Sequence, residues 1–219
     1  AAVRVDSGVR EGDTISPYYD PMIAKLIVWG DTREAALARM SVALGEYEVV
    51  GVATNIEFLG RVIRSRAFSG GDLDTGLIER NRAELFPAPG ALRDDVLAAA
   101  VFAEVARCDR LAKDRAKTSG DPHSPWHLSD GWRLNDVSHR TLEFTEIGQH
   151  TAVSVHATPR GMRIRTPGGE HDLSGEMGED GRLRLRFGDR SLQAGALRID
   201  GDWHLFVAGE HHRLALRDE

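Results

Sequence analysis

Residues 92–117, LRDDVLAAAVFAEVARCDRLAKDRAK, decide the fold of the larger part of this chain. The run is rich in alanine and holds neither Gly nor Pro, so its intrinsic preference is helical throughout. Leu97, Val101, Val105, Cys108 and Ala112 recur at helical spacing, and Phe102 lies beside them between Ala98 and Ala106. An apolar stripe this broad must be covered by another part of the chain. The C-terminal third supplies the cover. From residue 139 the hydrophobic period changes to two. Strands are predicted over 141–146, 151–156, 162–166, 170–174, 182–187, 191–199, 203–207 and 212–216. Their separators are short and turn-forming, among them Gly148-Gln149, Gly188-Asp189, Asp200-Gly201 and Gly209-Glu210, which is the chemistry of antiparallel hairpins. About eight neighbouring strands curl into a barrel or sandwich to remove their edges. The simplest arrangement lays the 92–117 helix along or inside the curled sheet.

Ahead of that helix, Phe86-Pro87-Ala88-Pro89-Gly90 stiffens and stops the chain, which sets a boundary between 1–86 and 91–219. The first portion alternates strand and helix. Strands are predicted over 3–7, 22–29 (the buried one) and 47–50, and helices over 32–46, 54–66 and 74–82. Ala36, Leu37, Met40, Ala43 and Leu44 share one face of the first helix, and Asp31 with Glu34 has capping-box spacing at its start. The fold class is therefore α+β. A small mixed α+β subdomain precedes a long helix (92–117), a loop (119–138) and an antiparallel β-barrel of about eight strands (139–217). The first portion is small for independent stability, and its abrupt strand-like start at Ala1 reads as a cut in a longer chain.

Two irregular stretches carry candidate functional residues. Tyr18-Tyr19-Asp20 lies between Pro17 and Pro21, just before an apolar strand. A cluster so placed faces a cleft or a partner; alternatively its aromatics pack on the next helix and the Asp bonds its own backbone. Lys25 interrupts the apolar strand and needs a partner or a path to water. The second stretch, 119–138, is long for a connection inside a compact domain, and such loops are usually functional. Its Pro122, Pro125, Trp126, Trp132 and Leu134 offer rigid, large apolar contacts at low entropy cost, as interface anchors do. The plainer alternative is that both Trp rings plug the barrel ends.

The bulk numbers exclude several classes. A net charge of -6 and a pI near 5.9 give no reason to expect nucleic-acid binding. One cysteine, Cys108, rules out an internal disulfide and fits a reducing cytoplasmic setting. There is no signal peptide and no apolar run near membrane-spanning length, so no membrane partner is expected. The nine histidines do not make a metal site: His211 and His212 point to opposite faces of one strand, and no zinc spacing is present. Neither a Walker-type phosphate loop nor a nucleophile elbow occurs.

Pro17 to Ile27, PYYDPMIAKLI, followed by Gly30, Arg33 and Ala36 and then by Gly51-Val52 and Thr54-Asn55-Ile56, resembles the C-terminal subdomain of biotin carboxylases over about residues 3–85. The remainder resembles the middle of the alpha subunit of biotin-dependent acyl-CoA carboxylases. Asp121-Pro122, Ser124-Pro125-Trp126 and Gly131-Trp132-Arg133-Leu134-Asn135 look most like the 3-methylcrotonyl-CoA type. The resemblance implies a linker barrel around a long helix, with a hook-like loop gripping the carboxyltransferase beta subunit. It implies that Tyr19 and Asp20 lie near the biotin carboxylase active-site wall and subunit contact, and that Arg4 matches a dimer-contact position of bacterial biotin carboxylases. It also implies that the nucleotide and metal residues lie upstream and the biotinyl lysine elsewhere, between two methionines. Lys25, Lys113 and Lys117 lack that setting. The expectation is a non-catalytic piece that binds no cofactor itself, while its parent uses biotin, ATP and Mg. Its partners are the carboxyltransferase beta subunit, the rest of the biotin carboxylase domain and the biotin carrier domain. Rivals are a propionyl-CoA or acetyl-CoA carboxylase alpha subunit and, in another class, a barrel for a small apolar ligand or a plain interaction module.

Overall fold

Four alanines in the first half of the long run, Ala98, Ala99, Ala100 and Ala103, leave a slim cylinder around which a sheet can close. The computed structural model describes residues 2–16, 18, 22–88, 90–118 and 139–217. The chain divides into two units, Ala1–Ala88 and Pro89–Glu219. The first unit holds β1 (Val3–Ser7), β2 (Ala24–Val28), α1 (Arg33–Gly45), α2 (Ile56–Arg64), α3 (Arg66–Gly70), α4 (Leu77–Arg80) and α5 (Arg82–Leu85). The second holds α6 (Asp94–Thr118) and the strands β3 (His139–Glu146), β4 (Gln149–Thr158), β5 (Gly161–Thr166), β6 (Gly169–Met177), β7 (Arg182–Phe187), β8 (Arg190–Ile199), β9 (Asp202–Val207) and β10 (Glu210–Arg217).

The eight strands form a closed barrel in the order β10-β3-β4-β5-β6-β7-β8-β9, antiparallel at every step. Closure between β10 and β3 removes the free edges that an open sheet would expose. Alternation is cleanest in β5 and β7, while β8 and β9 each bury three consecutive residues, 194–196 and 203–205. In β7, Leu183, Leu185 and Phe187 point inward and Arg182, Arg184 and Arg186 outward. The helix α6 is inside, meeting β4 through β9. It differs from the predicted stripe. Every residue from Val96 to Glu104 is buried, whatever its helical face. A helix sheathed on all sides has no solvent face to reserve, so one-sided patterning appears only from Val105 on, where the helix runs toward the barrel mouth. Outside, the acids of β6 stand between the arginines of β5 and β7: Arg163 bonds Asp172, Arg165 bonds Glu170 and Arg184 bonds Glu176. These pairs are exposed, so solvent screens them and they contribute little to stability.

The first unit departs further from expectation. β1 and β2 pair antiparallel as a two-stranded sheet. The apolar run 22–29 is not a buried strand: β2 is only half-buried, and Met22 and Trp29 are exposed. Two strands and a few short helices give too little cover for that run. Thr32, not Asp31, caps α1, its hydroxyl accepting from the Ala35 amide. Residues 47–50 are irregular rather than a strand, and among the described residues no strand lies beside them. The 54–66 helix is cut at Ser65, whose hydroxyl donates to the Val62 carbonyl of α2 and accepts from the Phe68 amide of α3. The 74–82 helix is likewise two single turns, α4 and α5.

Candidate functional site

The last residue of α6 and the first residue of β3 lie toward one end of the barrel, and residues 119–138 connect them in sequence. Glu104 is the centre of this end. It lies on α6 and is 1% exposed. Its Oε2 accepts from Arg107 Nε at 2.9 Å, from Arg198 Nη1 of β8 at 2.9 Å and from the indole Nε1 of Trp203 on β9 at 3.1 Å. Its Oε1 accepts from Arg107 Nη2 at 2.5 Å and from the Cys108 thiol at 3.3 Å. The Arg198 guanidinium also lies 5.7 Å from the Trp203 ring centre. Arg140, one residue after the returning foot of the loop, donates to Cys108 Sγ at 3.6 Å.

Burial is the largest single influence on the Glu104 carboxyl and pushes its pKa up. Hydrogen bonds from Arg107, Cys108 and Trp203, with the Arg107 charge, outweigh burial, so the net shift is downward from 4.5. Glu104 is thus held as an anion between two guanidiniums. The cluster pins α6 to β8 and β9 and fixes how far the helix projects.

Histidines of the barrel make local pairs. His204 Nδ1 and His211 Nε2 lie 2.9 Å apart with the rings stacked. His212 Nδ1 meets Glu146 at 3.0 Å, and His171 Nε2 lies 3.5 Å from Asp94 of α6. Among the described residues no group of three or more His, Cys, Asp or Glu is placed to hold a metal ion, and no helix is long and apolar enough to cross a membrane.

The residues proposed from sequence fall into two sets. Arg4 and Lys25 come together on one face of the β1–β2 ribbon. Arg4 bonds Asp6 at 3.0 Å, and Asp6 stands opposite Lys25 in register. Lys25 is exposed, which gives it the path to water its position required. Tyr19 and Asp20 lie outside the described residues, as do Pro122, Pro125, Trp126, Trp132 and Leu134. Of the three lysines, Lys25 sits mid-strand, and Lys113 and Lys117 sit within α6, with Lys117 paired to Asp114. Sequence reading missed Glu104 and Arg198. The signal was present as an acid inside an alanine run and as an arginine on the inward phase of β8, after Leu192, Ala194 and Ala196.

The larger unit is thus a closed eight-stranded antiparallel barrel packed around its own helix. Residues 93–219 match the family model "Methylcrotonyl-CoA carboxylase, alpha-subunit, BT domain", and residues 1–80 match "Biotin carboxylase C-terminal domain". The chain belongs to the family of the methylcrotonyl-CoA carboxylase alpha-subunit BT domain. It is similar to the mitochondrial methylcrotonoyl-CoA carboxylase subunit alpha of Dictyostelium discoideum, 39% identical over 155 residues, which cover 70% of this chain and 21% of that protein. It is also similar to the propionyl-CoA carboxylase alpha chain of Ruegeria pomeroyi, 40% identical over 124 residues, 56% of this chain and 18% of that one. Among solved structures, the biotin carboxylase domain of Hydrogenobacter thermophilus 2-oxoglutarate carboxylase overlaps 41% of this chain and 20% of its own, at 37% identity and a TM-score of 0.39. The chain spans about a fifth of the length of the curated relatives it matches.

Proposed function

We propose that this chain is the coupling portion of an acyl-CoA carboxylase alpha subunit of the 3-methylcrotonyl type. The parent reaction is ATP-dependent carboxylation of biotin by bicarbonate, followed by transfer of the carboxyl group to an acyl-CoA. The chain performs neither half and holds none of biotin, ATP or Mg. Its task is geometric: it keeps two active sites within reach of a travelling carrier and so raises the effective concentration of one at the other. The observation that carries this reading is the family match over 93–219, laid on a barrel whose interior is filled by α6. That filling also weighs against the small-ligand barrel. The methylcrotonyl type is favoured over propionyl or acetyl because the matching barrel model is of that type.

In this reading the carboxyltransferase beta subunit is gripped by the 119–138 loop through Pro122, Pro125, Trp126, Trp132 and Leu134. Arg4, Tyr19, Asp20 and Lys25 meet the rest of the biotin carboxylase domain, and the carrier domain belongs to the same parent. The lone thiol of Cys108 suits a reducing compartment, the cytoplasm or, as the names of several relatives have it, the mitochondrion. Size-exclusion chromatography of the chain mixed with a carboxyltransferase beta subunit tests the reading. Co-elution is expected, and Trp126→Ala abolishes it. Separate elution of the wild-type chain, or ATP hydrolysis by the chain alone, overturns it.

A further inference from the structure

We infer that the His204–His211 pair on the outer wall of β9 and β10 is a proton-counting latch, which stays closed with one added proton and opens with two, baring the Phe206 ring. Trp203, Leu205 and Val207 take the inward phase of β9, so His204 and Phe206 belong to the outer wall. His204 is nevertheless only 7% exposed. Its Nδ1 lies 2.9 Å from His211 Nε2, and the two rings are within 7° of parallel. At that separation one nitrogen carries the hydrogen and the other presents a lone pair. Two tautomeric arrangements satisfy this, and both lead to the same result. Where His211 donates, its Nδ1 can take a proton and the bond survives. The next proton then has only the accepting Nδ1 of His204 left to it. Where His204 donates, its Nε2 takes the first proton, and the next has only the accepting Nε2 of His211. In either case the second proton ends the hydrogen bond and sets two like charges side by side.

The neighbours do not absorb that charge. The ionisable groups facing His204 are His211 and Arg213 on β10, Asp202 on β9 and Asp200 in the β8–β9 turn, while uncharged Leu197 stands opposite on β8. Asp202 is committed to Arg213, whose Nε donates to it at 2.7 Å. Burial, then the Arg213 charge, already holds the His204 pKa below its ordinary value against the pull of both acids. His204 is buried and His211 exposed, so His211 is the member that swings away. His211 also lies against the Phe206 ring, with centroids 4.8 Å apart. On the other side of Phe206 stands Gly195 of β8, which has no side chain to replace that cover. Departure of His211 therefore uncovers Phe206. Leu197, two residues along β8 from Gly195, is already 49% exposed, so acid opens an apolar strip on this wall.

Nitrogen NMR of the histidine rings in the full chain, from about pH 8 to about pH 4, reads the latch directly. The two rings are expected to take up their protons in separate steps. A scalar coupling between His204 Nδ1 and His211 Nε2 persists through the first step and vanishes at the second, and the Phe206 ring-proton shifts move only at the second. In His211→Gln only one ring of the pair can charge, so His204 titrates about one pH unit above the second wild-type step. Four results overturn the inference: no coupling at any pH, a coupling lost at the first step, Phe206 shifts that follow the first step or neither, or a His204 midpoint equal in wild type and variant. Should His211→Gln fail to fold, the wild-type titration decides alone.

Discussion

Replacing Glu104 tests whether the helix is locked into the barrel or merely packed there. Glu104→Ala leaves Arg107 and Arg198 without their shared anion and leaves the Trp203 indole N–H unpaired at a residue only 2% exposed. Removing one member of a fully buried charge pair costs about 3–5 kcal/mol, but the two arginine side chains keep 32% and 27% of their exposure, so water takes up part of that loss. The expected cost is about 3 kcal/mol, which for a barrel unit of this size lowers Tm by about 10–15 °C. Glu104→Gln keeps the shape and one acceptor but removes the charge from the arginine bonds, costing about 2 kcal/mol. Far-UV circular dichroism follows Tm, and the near-UV band of Trp203 follows the local packing. The folded carboxyl titrates below its ordinary 4.5, so its stabilisation is complete above that value and is lost as pH falls through the lower, folded pKa. The gap between wild type and Glu104→Gln is therefore flat from neutral pH down to the ordinary carboxylate range and closes only below it. An alanine variant whose Tm falls by less than about 3 °C, or a gap that closes near neutral pH, refutes the lock.

Two further perturbations probe the barrel. Burial, then the charge of Arg213, lowers the pKa of His204 from 6.5 against the pull of Asp202 and Asp200. Its neutral form therefore stabilises the fold above that value, and the contribution is lost as pH falls toward the lower, folded pKa; an NMR titration of His204 with a midpoint at or above 6.5 contradicts this. Gly175 has φ +154°, and a side-chain carbon there would overlap the Arg184 carbonyl and Leu185 across the β6–β7 pair. Gly175→Ala should cost about 3 kcal/mol, read as a lower urea midpoint, and an unchanged midpoint would show that the strands give way freely.

The barrel was legible because its strands obey one rule at a time. Leu183, Leu185 and Phe187 alternate with arginines, and turn pairs such as Asp200-Gly201 mark each reversal, so strand number and hairpin order follow from local chemistry. The first unit obeyed no single rule. Residues 22–29 are apolar enough for a buried strand, yet burial depends on what else is there to cover them, and that is not a local property. Ser65 shows the same limit at smaller scale: 54–66 has helical periodicity throughout, but one hydroxyl that can cap a following turn cuts it in two.

Glu104 shows why the site was harder to read than the fold. On an amphipathic helix an acid marks the wet face, so Glu104 next to Val105 looks like an ordinary surface residue. Inside a closed barrel that inference reverses, because no face is wet, and an acid must then be met by donors from the surrounding wall. The wall supplies Arg198 and Trp203, and Arg107 comes from the next turn of the helix itself. Hydrophobic contacts of alanine with strand side chains are non-directional and tolerate sliding along the helix axis. Hydrogen bonds to one carboxylate do not. The few polar groups in this core therefore determine the axial position of α6 within the barrel.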